Sequence, residues 1–93
     1  MMLIELVQIK NLRGRLSLSK IYLNPRHIVF IKENSVIKSA INESNDLGLV
    51  PQTVVSTIRL HDNGTYSEIN VIGDPELIES KIFTKKKQNI LRG

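Results

Sequence analysis

The dipeptide Asn63-Gly64 lies between two stretches of alternating side chains, and this constrains the fold more than any other part of the 93-residue chain. A tight hairpin turn needs positive φ at its central positions, which Asn tolerates and Gly adopts freely. Before it, Val54, Ser56, Ile58 and Leu60 alternate with Val55, Thr57 and Arg59. A period of two is that of a strand. Thr53 to Leu60 and Thr65 to Ile72 are therefore predicted to pair as an antiparallel hairpin, with His61-Asp62-Asn63-Gly64 at its tip.

Directly after the hairpin, Gly73-Asp74-Pro75-Glu76 supplies three helix-start signals in order. Asp accepts from otherwise unpaired N–H groups, Pro suits the first helical position, and Glu complements the positive end of the helix dipole. Leu77, Ile78 and Ile82 are expected on one apolar stripe, with Glu79, Ser80 and Lys81 facing water. Lys85, Lys86 and Lys87 suit the negative end of the dipole, and residues 84–93 are expected to form a basic tail that frays from about Gln88 onward.

Toward the N-terminus, Met2 to Ile9 is dense in Leu, Ile and Val without a preceding cap, the pattern of a strand buried on both faces. Gly14, between Arg13 and Arg15, marks a turn, and a second strand follows through Leu16, Leu18, Ile21 and Leu23. Its apolar phase shifts by one residue, so a bulge is expected near Lys20. Asn24-Pro25 ends that strand, because Pro cannot donate to a ladder. His27 to Lys32 is the third strand; Ile28 and Phe30 on one face and Val29 and Ile31 on the other imply a central or interface position. Residues 34–52 mix Asn, Ser, Asp and Gly with scattered aliphatics and read as a long loop, of a length that is more often functional or disordered than idle. The fold class is thus α+β: an antiparallel β-meander of four to five strands with one short C-terminal helix, in a single domain over residues 1–93.

A chain this short supports one modest core, and oligomerisation is the natural supplement. It has no cysteine, which removes disulfide frameworks, thiolate nucleophiles and cysteine metal sites. No apolar run approaches the ~18 residues of a membrane span, and the first segment lacks the order of a secretory leader, so the expected location is the cytoplasm without a membrane partner. The net charge of +4 is unevenly placed. Every charged residue from Leu6 to Lys32 is basic, the stretch from Glu33 to Glu79 is mainly acidic, and basic residues return from Lys81. Such segregation suits an anion-facing surface or self-association. Abundant Ile, Asn and Lys is a bias common in AT-rich genomes, including those of many phages.

Read together, Ile21 to Ile31 (IYLNPRHIVFI), Val55 to Gly64 (VSTIRLHDNG) and Asp74 to Ile82 (DPELIESKI) resemble the small FlbD/SwrD-type family and similar small phage proteins. The shared features are an Asn-Pro turn followed by apolar residues, a hairpin with Asn-Gly at its tip, and a short helix with an acidic start. The resemblance implies topology. The longer N-terminal strand region, the insert over Glu33 to Gln52 and the basic tail depart from the family's pattern, so no functional residue and no flagellar role is carried over.

Candidate chemistry is sparse. His27 and His61 could form an acid–base pair acting on RNA, but both occupy positions that turn chemistry already explains. His61, Asp62 and Glu68 lack any recognised metal-ligand spacing, and no metal or cofactor is expected. The glycines never assemble into a phosphate-cradling loop. The favoured reading is a non-enzymatic binding or regulatory protein, homo-oligomeric because the first and third strands are apolar on both faces. Its partner is expected to be a host protein or a small anionic, phosphate-containing ligand, as for a phage-encoded inhibitor or sequestering protein. Arg13, Arg15 and Arg26, with Tyr22, are the candidate ligand-binding residues, since Arg makes bidentate contacts to phosphate. The alternative is an RNA- or DNA-binding regulator using Lys10, Lys20, Lys85, Lys86, Lys87 and Arg92.

Overall fold

A computed structural model describes residues 3–12, 15–35 and 53–92, with the side chains of residue 12 and residues 85–92 excepted. The predicted loop, apart from residues 34, 35 and its start at Glu33, lies outside the described residues, as does Arg13. Five strands form one antiparallel sheet followed by a C-terminal helix: β1 (Ile4–Leu12), β2 (Arg15–Leu23), β3 (Ile28–Glu33), β4 (Val55–Asp62), β5 (Thr65–Ile72) and α1 (Pro75–Arg92). This is the α+β architecture that the alternating segments and the helix cap imply.

The β4–β5 hairpin pairs without interruption from Asp62↔Thr65 to Val55↔Ile72. Asn63 and Gly64 both have positive φ, 48° and 80°, as the turn requires. Asp74 caps α1: its carboxylate accepts from the Leu77 N–H at 2.7 Å. Gly73 joins hairpin to helix at φ 125°, a value that L side chains rarely adopt, and its N–H donates to the Val54 carbonyl at 2.8 Å. The Ser56 hydroxyl donates to the Gly73 carbonyl at 2.6 Å, which fastens the joint from the other side. The helix backbone then runs through Arg92, beyond the point at which the sequence suggested a tail.

Spatial order is β2-β1-β5-β4-β3. Successive strands pair as in a meander except at one step, from β2 to β3, which are the two edges of the sheet; the place of that pairing is taken by β1 on β5, through Gln8↔Val71 and Ile9↔Asn70. Only residues 24–27 connect those two edges, and three of them form a 3-10 turn, Pro25–His27, capped by the Asn24 side chain. Even fully extended, the path from Leu23 to Ile28 reaches at most roughly 18 Å. Four strand spacings in a flat sheet already require about 19 Å. The sheet is therefore not flat but curls, so that β2 and β3 approach each other at the turn.

The inner face of the curl holds the main core: Ile4, Leu6, Ile58 and Val71, with Ile21, Leu23, Ile28, Ile31, Leu60 and Ile69 around them. Ile78 of α1, fully buried, and Ile82 close it. The outer face carries a smaller cluster of Ile9 and Val55 with Leu16 and Ile72. Beside it, a polar ladder runs across the strands: Asn34 Nδ2 donates to Thr57 Oγ1 at 2.9 Å and the Thr57 hydroxyl donates to Asn70 Oδ1 at 2.8 Å.

Two local expectations are corrected. The register of β1 on β2 is unbroken from Leu12↔Arg15 to Ile4↔Leu23, so β2 has no bulge near Lys20. Its apolar residues change phase because Leu16 joins the outer cluster whereas Ile21 and Leu23 join the inner one. The register shift occurs in β3 instead, between Ile28 and Phe30. β1 is central and buries residues on both faces, as its sequence implies; β3 is an edge strand, with Val29 exposed.

Candidate functional site

Of the arginines singled out from the sequence, the two that are described, Arg15 and Arg26, are not gathered within one chain. Arg15 opens β2 and Arg26 lies in the turn beyond its other end, so about 26 Å of strand separates them. The basic residues of the nucleic-acid alternative are divided as well. Lys10 is paired with Ser17 on the inner face, whereas Lys20 stands on the outer face opposite Val7. The side chains of Lys85, Lys86, Lys87 and Arg92 lie outside the described residues. Lys20 is held by Glu5 at 3.0 Å, and this hydrogen bond and the adjacent negative charge raise the Lys20 pKa above the ordinary lysine value.

Tyr22 does line a concave site. Between α1 and the first residues of β1 lies a cleft of about 440 Å³ lined by Leu3, Ile4, Glu5, Tyr22, Leu77, Ser80, Lys81 and Thr84. That volume falls in the range of ligand clefts. The helical contributors, residues 77, 80, 81 and 84, repeat at intervals of three and four and so form one stripe. It adjoins the buried stripe of Ile78 and Ile82. Leu77, expected in the core, is 51% exposed because it belongs to the cleft stripe. Ser80 and Lys81 are exposed, as expected, and also line the cleft. The Lys81 ammonium donates to the Glu5 backbone carbonyl at 3.1 Å, tying helix to sheet at the floor. A second hollow of about 450 Å³, over Glu76, Glu79 and Phe83, shares Ser80 and Thr84 with the first. Phe83 is 66% exposed beside it.

The other cluster of note is on the outer face. Phe30, Arg59 and Glu68 stand abreast on β3, β4 and β5. The Arg59 guanidinium pairs with Glu68 at 3.1 Å and lies over the Tyr66 ring at 4.8 Å. His61 packs on the same ring, centroids 4.5 Å apart, and the Lys32 ammonium lies 5.6 Å from the Phe30 centroid.

β3 pairs with β4 and brings the turn that holds His27 beside the hairpin tip. His27 Nε2 is 3.9 Å from Asp62 Oδ1, whereas His61 faces Tyr66. Among the described residues no three His, Asp or Glu side chains group as metal ligands. No described helix is long and apolar enough to cross a membrane.

Sequence reasoning missed Leu3, Leu77, Ser80, Lys81 and Thr84. The three- and four-residue spacing was a usable signal for the helical four; the facing residues on β1 and β2 depended on tertiary placement. No protein family, curated protein or solved structure matches the chain.

Proposed function

We propose that this chain is a non-enzymatic, oligomeric binding protein whose partner is another protein, the kind of activity suited to a phage-encoded inhibitor of a host system. The cleft between α1 and the start of β1 carries this reading. It is apolar at Leu3, Ile4 and Leu77 and bears Tyr22, Ser80 and Thr84 hydroxyls and the Lys81 ammonium. An apolar anchor side chain of the partner fills the cleft, and a carboxylate next to that anchor meets Lys81. Anchors of this kind dominate interface energies when they fill a desolvated pocket, while polar groups at the rim set orientation.

A small phosphate-containing ligand is the weaker reading for this site. Glu5 contributes negative charge to the cleft, and Arg15 and Arg26 stand far apart on the chain. Native mass spectrometry of gently purified protein discriminates between the two. The protein-binding reading expects an oligomer without added small-molecule mass; extra mass in the nucleotide range contradicts it and points to sequestration of a small ligand.

One observation favours a second reading, nucleic-acid binding. Phe30, Lys32, Arg59 and Tyr66 place rings and cations together on the outer face, and bases stack readily on such surfaces. In that case binding to a single-stranded oligonucleotide weakens steeply between low and physiological salt, and Tyr66→Ala weakens it further. Absence of binding at low salt disposes of this alternative.

A further inference from the structure

We propose that two copies of this chain join through β2, edge against edge and antiparallel, so that one sheet runs through both chains with each Leu18 opposite its counterpart. The proposal rests on the oligomeric part of the reading above and assigns the surface responsible.

A strand edge carries a row of backbone donors and acceptors that only another strand satisfies, and proteins usually guard such edges with bulges, Pro or outward charge. All nine residues of β2 pair with β1, and among the described residues no strand pairs with its other side. It contains neither Pro nor Gly and its register is unbroken. The opposite edge, β3, is only six residues long and carries the register shift at Val29. The one charge in the middle of β2 does not guard it: Lys20 is drawn toward Glu5 of β1 at 3.0 Å, away from the free side. β3 does not pair with β2, and the half of β2 from Arg15 to Lys20 lies farther along the strand from the turn at residues 24–27 that joins the two edges.

The sequence of β2 fits a second copy of itself. With the two-fold axis at Leu18, which is 39% exposed on the outer face, the two leucines meet in a cross-strand apolar pair. Leu16 then lies opposite Lys20, whose aliphatic stem covers it, and Arg15 lies opposite Ile21; no like charges face each other. On the inner face Ser17 of the second copy stands opposite Ser19, whose buried hydroxyl has no partner in the single chain. A two-fold pairing of this kind uses the same edge on both chains and closes after two copies, leaving no edge for further growth at β2.

The chain has no cysteine, so one introduced thiol reports its own neighbourhood. Full-length Leu18→Cys and Val29→Cys proteins are treated with a short bis-maleimide, and wild type and Leu18→Lys are weighed by native mass spectrometry, with circular dichroism to establish that each variant is folded. The expected result is that the Leu18→Cys protein cross-links to a dimer on the order of tenfold or more faster than the Val29→Cys protein, since a paired thiol has a high effective concentration. Leu18→Lys, which sets like charges opposite each other, is expected to be a folded monomer. Equal cross-linking, or a Leu18→Lys protein that stays oligomeric, overturns the β2 interface while leaving oligomerisation itself standing. A monomeric wild type overturns both.

Discussion

Thr57 and Asn70 face each other across β4 and β5 and share a hydrogen bond of 2.8 Å on the outer face of the sheet. Thr57 is 5% exposed, and it also accepts from Asn34 at the end of β3, so one hydroxyl links three strands. Thr57→Val keeps the shape and removes the hydroxyl, which deprives the part-buried Asn34 and Asn70 side chains of a partner. A loss of about 1–3 kcal/mol is expected in urea denaturation. An unchanged midpoint would show that the ladder contributes nothing.

Ile78 is the residue by which α1 closes the main core, and it packs with Ile4, Leu6, Ile58 and Val71. Ile78→Ala is expected to cost about 2–5 kcal/mol, from lost burial and the cavity left behind. The neighbouring Leu77→Ala, at a half-exposed position, should cost under about 1.5 kcal/mol because much of that side chain is already in water. Thermal unfolding of both variants tests the division of α1 into a core stripe and a cleft stripe.

Gly64 and Gly73 have positive φ for different reasons, and their alanine variants should differ. At Gly64 the φ of 80° belongs to the hairpin turn and a Cβ meets nothing within 4 Å, so Gly64→Ala should cost roughly 1–2 kcal/mol of backbone strain alone. At Gly73 the φ of 125° is less accessible to an L residue, and the added Cβ approaches Leu77 Cδ2 at 3.5 Å and Ile78 Cγ1 at 3.8 Å, ordinary contacts. Backbone strain therefore decides, and Gly73→Ala should be the more destabilised, by about 1–3 kcal/mol. Denaturation of the pair checks the ranking.

The Lys20–Glu5 pair predicts a pH dependence of definite sign. The folded pKa of Lys20 is raised from 10.5 by its hydrogen bond to Glu5 and by the charge beside it. The pair's contribution is therefore fully present below the unfolded lysine value and is lost as pH rises through the raised folded value. The stability difference between wild type and Lys20→Met should hold at neutral pH and shrink above the ordinary lysine range. Both residues are well exposed, so the difference should also fall with added salt.

What was legible in the sequence is what depends on neighbours along the chain. Asn63-Gly64 and Asp74-Pro75 state their turn and cap through side chains that act within a few residues, and both lie where the residues place them. The order of the strands follows from contacts such as Gln8 with Val71, which no local pattern encodes. That order brings Tyr22 into one cleft with Lys81, whereas the separation of Arg15 and Arg26 at opposite ends of β2 follows from the strand itself. Phe30 was read as part of an apolar strand, yet the register shift next to it and its place on an edge leave it partly exposed near Lys32.

The central claim is that the cleft between α1 and β1 receives an apolar anchor from a protein partner. Affinity capture from host lysate with wild type, Leu77→Glu and Tyr66→Ala tests it most directly, because the first variant puts a charge into the cleft and the second alters only the outer face. The account predicts a reproducible partner that is retained by Tyr66→Ala and lost, or weakened on the order of tenfold or more, with Leu77→Glu, since the new carboxylate removes the apolar contact and, four residues before Lys81, takes up the ammonium that the partner's carboxylate would meet. A partner that Leu77→Glu captures as well as wild type does would contradict it.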